Sequence, residues 1–68
     1  MVKWKDVPIG AEFAKVGEQD FAERVAGTTY PWKKVNANQA VYVGRPNASM
    51  RPGEYKWFDL DSWLMVKP

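Results

Sequence analysis

Gln39-Ala40-Val41-Tyr42-Val43 is the stretch on which the fold turns. β-Branched and aromatic residues recur there at period two, the pattern of a half-buried strand. Breakers bound it on both sides. Asn36-Ala37-Asn38 precedes it and Gly44 follows it, and both supply residues that suit turns. A segment this short between turn signals reads as strand and not as helix.

Working outward, the same grammar repeats. Upstream, Trp32 to Val35 is a short strand, preceded by the loop Gly27-Thr28-Thr29-Tyr30-Pro31. Downstream, Gly44 to Tyr55 holds Pro46, Pro52, Gly44 and Gly53 and reads as a loop. Arg51-Pro52-Gly53-Glu54 inside it has proline and glycine where a type II turn wants them. Lys56–Leu60 and Ser62–Val66 are two further strands, separated at Asp59–Asp61. Near the N-terminus, Val7-Pro8-Ile9-Gly10 is a turn.

Residues 9–26 support two readings. Glu12–Val16 and Phe21–Ala26 alternate like two strands around the loop Gly17-Glu18-Gln19-Asp20. The competing reading is a short helix, with Asp20-Phe21-Ala22-Glu23 as capping box and Gly27 as C-cap. The expected fold is mainly β, a small SH3-like or OB-like barrel or roll of five to six short strands, with one short helix possible within residues 9–26. The expected core contains Phe13, Val35, Val41, Val43, Phe58 and Val66.

At 68 residues the chain has room for a single domain spanning residues 1–68. It contains no cysteine and no histidine, so a disulfide or a structural zinc site does not hold it together. Aromatic burial must do so, each ring covering roughly 150–250 Å². The N-terminus lacks the apolar run of a signal peptide, and no stretch is long and apolar enough to span a bilayer. A cytoplasmic protein without membrane association, a monomer or small homo-oligomer, is the expectation. Asn47-Ala48-Ser49 matches a glycosylation acceptor, and without a secretion signal we read it as coincidence.

Catalysis is not expected. No histidine can act as base, no cysteine as nucleophile, and Ser49 and Ser62 have nothing to activate them. Asp59 and Asp61, spaced to share a strand face, are the best carboxylate pair for a weak divalent cation, but they read first as a polar turn. No catalytic, metal or cofactor site is assigned.

Binding has more support. Residues 24–56 carry Arg24, Lys33, Lys34, Arg45, Arg51 and Lys56 against Glu54 alone, while the flanking segments are mildly acidic. Arginines and aromatics dominate protein interfaces. The expected partner surface combines Tyr30, Trp32, Arg45, Arg51 and Tyr55, on the Thr28–Trp32 and Gly44–Tyr55 loops. The second reading is a nucleic-acid binder, with Lys33, Lys34 and Lys56 neutralising phosphates beside aromatic rings. The chain also has four tryptophans, more than a core of this size readily buries, so some should be exposed.

Trp4-Lys5-Asp6-Val7-Pro8-Ile9-Gly10-Ala11-Glu12-Phe13, then Phe21, then Trp32-Lys33-Lys34-Val35-Asn36 with Ala40-Val41, closes on Trp57-Phe58-Asp59-Leu60-Asp61. This series resembles small uncharacterised accessory proteins of tailed bacteriophages, which share an Asp-Leu-Pro-x-Gly-x-x-Phe pattern, a Lys-Val-Asn before an Ala-Val strand, and a late aromatic strand. Val7 stands where leucine is commoner, and the insert between Phe21 and Lys34 is longer. The resemblance implies an accessory protein that acts on a host protein in the host cytoplasm, and it carries over no catalytic residue.

Overall fold

Pro8 and Gly10 reverse the chain, with the Ala11 amide donating to the Pro8 carbonyl at 3.1 Å, and this delivers it into the first long strand of the sheet. The computed structural model describes residues 1–68. The strands are β1 (Val2–Lys3), β2 (Glu12–Lys15), β3 (Trp32–Lys34), β4 (Gln39–Tyr42), β5 (Tyr55–Trp57) and β6 (Trp63–Val66). They form one antiparallel sheet in the order β1-β6-β2-β3-β4-β5. Strands β2 to β5 are a meander, and β6 returns to pair with β2. The result is a small, mainly β roll built on one six-stranded antiparallel sheet with one short helix. The roll is not fully closed, because β5 has no ladder to β6 or β1.

The ambiguity over residues 9–26 resolves into one strand and one helix. Gly17 turns the chain after β2, and α1 runs Gln19–Ala26. The helix buries Ala22 and Ala26 and packs Val25 against the core. The expected capping box does not form. The helix starts two residues earlier than the Asp20 cap requires, Glu18 is the N-cap, and no side-chain cap hydrogen bond forms. The C-terminal signal holds: Gly27 stops the helix at φ +71, a left-handed conformation that costs glycine little.

Registry places Phe13, Trp32 and Tyr42 on one rung, facing inward. Around them the core is aromatic. Trp4, in a single 3₁₀ turn (Trp4–Asp6), stacks on Phe58 at 4.9 Å between centroids and meets Phe13 edge-on at 5.6 Å. Trp32 meets Tyr42 and Phe58 edge-on. Such geometries add roughly 0.5–1.5 kcal/mol per pair beyond area burial. The Trp4 indole Nε1 donates to the Ala37 carbonyl at 2.7 Å, so its one polar atom is satisfied inside.

The core expectation needs correction at three of its six positions. Phe13 is fully buried and Phe58 and Val66 pack against the core, but Val35 and Val41, both half-buried, lie outside the core cluster, and Val43 is 40% exposed. On β4 the inward residues are Ala40 and Tyr42. Tyrosine wins that face because its ring brings more apolar area than a valine and its hydroxyl finds a partner, donating to the Arg45 carbonyl at 2.7 Å. Gly44 follows for steric reasons: a Cβ there would lie 2.6 Å from both the Ala26 Cβ and the Tyr42 hydroxyl. This contact seats α1 against the end of β4.

Candidate binding surfaces

Two clefts open on the surface, and each is built from a different end of the chain's grammar. The first lies between α1 and the loop that follows β4. Asn47 builds its wall. The Asn47 Oδ1 accepts from the amides of Ser49 and Met50 at 2.9 and 3.0 Å, closing a tight Asx turn. Its Nδ2 donates to the Val25 carbonyl and to the Tyr42 hydroxyl, both at 3.1 Å, tying the loop to helix and sheet. Burial raises the Tyr42 pKa, while the Asn47 bond and the Arg45 charge pull it back down.

The resulting groove of about 310 Å³ is lined mainly by apolar side chains, among them Phe21, Val25, Pro31, Trp32 and Met50. Phe21 stands 56% exposed on its lip. Arg24, Arg45 and Arg51 lie on the segments that form this region, and none of them makes a salt bridge.

The second cleft, of about 460 Å³, is the seam where the roll stays open. Lys15 and Glu18 line it from the β2 side, Lys56 and Trp57 from β5, and Trp63 from β6. Trp57 and Trp63 are 68% and 53% exposed, and Lys3 Nζ stands 5.4 Å above the Trp63 ring.

The residues expected to carry binding fall in several places. Tyr30 is half-buried, its amide bonded to the Thr28 hydroxyl at 3.2 Å. Trp32, expected as an exposed anchor, is only 7% exposed: it alternates inward on β3 and contributes one face to the floor of the first groove. Arg45 is exposed but already engaged, its Nη2 donating to the Arg24 carbonyl at 2.6 Å and its amide to the Ala26 carbonyl at 2.8 Å. It is therefore a C-terminal clamp on α1. Arg51 is exposed at the start of the expected turn, where the Glu54 amide donates to its carbonyl at 3.2 Å and its own amide donates to the Glu54 carboxylate. Tyr55 is exposed on β5, pointing from the outer face.

The three lysines of the nucleic-acid reading do not form one patch. Lys33 points outward from β3, whereas Lys34 and Lys56 flank Ala40 on the inner face. Lys34 is 4% exposed, its Nζ donating to the Trp4 carbonyl at 2.8 Å and standing 4.4 Å from the Trp4 ring centroid. Burial lowers its pKa, with Asp6 acting against the shift. A buried lysine already bonded within the core is not a phosphate contact, so Lys34 is corrected to a structural residue. The Lys56 pKa is also lowered, first by its neighbour Lys15 and then by burial, with Glu18 opposing.

Asp59 and Asp61 do form a turn, the Ser62 amide donating to the Asp59 carbonyl at 3.1 Å, and Asp61 pairs with Lys3 at 3.6 Å. No helix is long and apolar enough to cross a membrane. Trp57, Trp63, Lys15 and Phe21 were not singled out as site residues from the sequence. The tryptophan surplus was the available signal, but it did not say which two rings stay outside. The chain matches no family model, no curated protein and no solved structure.

Proposed function

We propose that this is a non-enzymatic accessory module that binds a protein partner through the groove between α1 and the loop after β4. The observation that supports it most is the groove's construction: an apolar trough with Phe21 exposed on its lip, held open by Asn47 rather than filled by the chain's own side chains. Exposed aromatics beside a preformed pocket suit a partner's apolar anchor, and a braced wall lowers the ordering cost of binding. The unpaired arginines of this region favour an acidic partner segment carrying an aliphatic or aromatic side chain. Asp20 and Glu23 on α1 temper that preference without reversing it. The resemblance to small phage accessory proteins makes a host protein the partner of first choice.

The test is affinity capture from nuclease-treated lysate, identification of the retained protein, and direct titration with purified material. Phe21→Asp should abolish binding, and Arg51→Ala should weaken it. Both variants should melt within about 0.5 kcal/mol of the parent, because both side chains are exposed. Arg45 is unsuitable as a probe because it clamps α1. A partner that disappears with nuclease, or that binds the Phe21→Asp variant unchanged, would refute the reading.

A further inference from the structure

The open seam holds two lysines that make no salt bridge within the fold. Lys15 faces inward opposite Leu64, and Lys56 faces inward opposite Ala40, so both project from the concave face of the roll into the same cleft. The chain's salt bridges are Lys3–Asp61 and Lys67–Glu12, and neither Lys15 nor Lys56 takes part in one. Glu18 and Asp59 line the same cleft without reaching ion-pair distance of either. Bringing two like charges together costs free energy, and an anion placed between them recovers it. Trp57 and Trp63 line the same cleft, large indoles left exposed although the core has buried two other tryptophans.

We propose that this seam is a binding site for a small planar anion, an aromatic ring system carrying a single phosphate or carboxylate. The anionic group sits between Lys15 and Lys56, and the ring lies against the indoles of Trp57 and Trp63. The cleft volume is that of a small-molecule site, which typically spans about 300–1,000 Å³. The two carboxylates set the class more narrowly. A polynucleotide carries further phosphates past the lysines, where Glu18 and Asp59 repel them, whereas a mononucleotide presents its charge once. The site is independent of the apolar groove, which lies on the α1 side of the roll and shares no lining residue with it.

Adenosine monophosphate is the probe, with inorganic phosphate and a single-stranded oligothymidylate as the other arms. Binding is read by tryptophan fluorescence and by calorimetry. AMP should quench the exposed indoles saturably, and inorganic phosphate should bind more weakly and leave the fluorescence unchanged. Lys56→Ala and Trp57→Ala should each weaken AMP about tenfold, the scale of one stacking or charge contact. Lys56→Arg should retain binding, and Lys33→Ala, on the outer face, should not change it. Thermal melts confirm that each variant is folded. No saturable quenching at millimolar AMP would overturn the proposal. So would equal affinity for phosphate and AMP, or tighter and strongly salt-dependent binding of the oligonucleotide.

Discussion

Lys34 and Lys56 occupy the same rung of the sheet, one on each side of Ala40, yet they live in opposite environments. At the sealed end of the roll, Lys34 lies under the aromatic core, its ammonium donating to the Trp4 carbonyl and resting on the Trp4 ring. At the open seam, Lys56 has the Trp32 and Phe58 rings within 5.8 and 6.0 Å, but the group that acts on it most strongly is another lysine, Lys15. The residue type, the strand face and the kind of aromatic company are shared. What differs is whether the chain supplies the counterpart. A buried cation whose donors are met inside the molecule stabilises a particular packing. One whose donors face a cleft and another cation is a place for something else to bind.

The most direct way to break this comparison is to truncate both lysines. Lys34→Ala should cost about 2–4 kcal/mol, because it opens a cavity beneath Trp4 and strands a carbonyl. Lys56→Ala should change stability by no more than about 0.5 kcal/mol, since the side chain is exposed and unpaired. Urea unfolding of the two variants measures the difference. Equal losses would mean that the seam lysine is structural too.

A smaller effect sharpens the contrast between the two clefts. Asn36 and Asn47 both close Asx turns, accepting from the amides two and three residues on. Only Asn47 also donates inward, to Val25 and Tyr42. Asn47→Ala should therefore cost roughly 2 kcal/mol and collapse the apolar groove, while Asn36→Ala should cost about 1 kcal/mol or less. Neither should alter AMP binding at the seam. A groove that still accepts its partner in Asn47→Ala would show that the wall forms without its brace.

The paired asparagines also show where sequence reasoning carries and where it stops. Asn36-Ala37-Asn38 was legible as a turn because it separates two alternating strands. Asn47-Ala48-Ser49 has the same local chemistry, but its spacing matched a glycosylation acceptor, and the helix carbonyl that its side chain anchors to, Val25, lies 22 residues away. Strand existence, the Arg51–Glu54 turn and the Gly27 stop were readable because their causes are local. The inward face of β4 was not, because Val41/Val43 and Ala40/Tyr42 satisfy the same period and only the facing Trp32 chooses between them. The helix of residues 19–26 stayed ambiguous for a related reason: two alternating faces with phenylalanine and valine fit either geometry until the helix has a partner. Trp32 and Trp57 look equivalent in sequence, and only pairing register sends one ring inward and leaves the other at the rim.

The smallest expected effect is a dependence of stability on alkaline pH, and it follows from the same pair of lysines. Burial holds the Lys34 pKa below its ordinary 10.5. Below the lowered native pKa the side chain is protonated in both the folded and the unfolded chain, and the buried charge weighs against folding. As pH rises through the lowered native pKa, the folded protein loses this proton while the unfolded chain keeps it. The unfolded state then binds more protons, so stability rises with pH. The gain ends once the unfolded lysine also deprotonates near 10.5. Lys56, lowered by Lys15 and by burial, adds a rise of the same sign. Tyr42 opposes them: its native pKa is raised above 10.0, so beyond that pH the unfolded chain ionises first and stability falls. Urea midpoints from about pH 8 to about pH 11 should therefore climb and then turn over. Lys34→Met should flatten the climb more than Lys56→Met does, and Tyr42→Phe should move the turnover to higher pH. A climb that survives in Lys34→Met but vanishes in Lys56→Met would reverse the assignment, making the seam the more desolvated of the two environments.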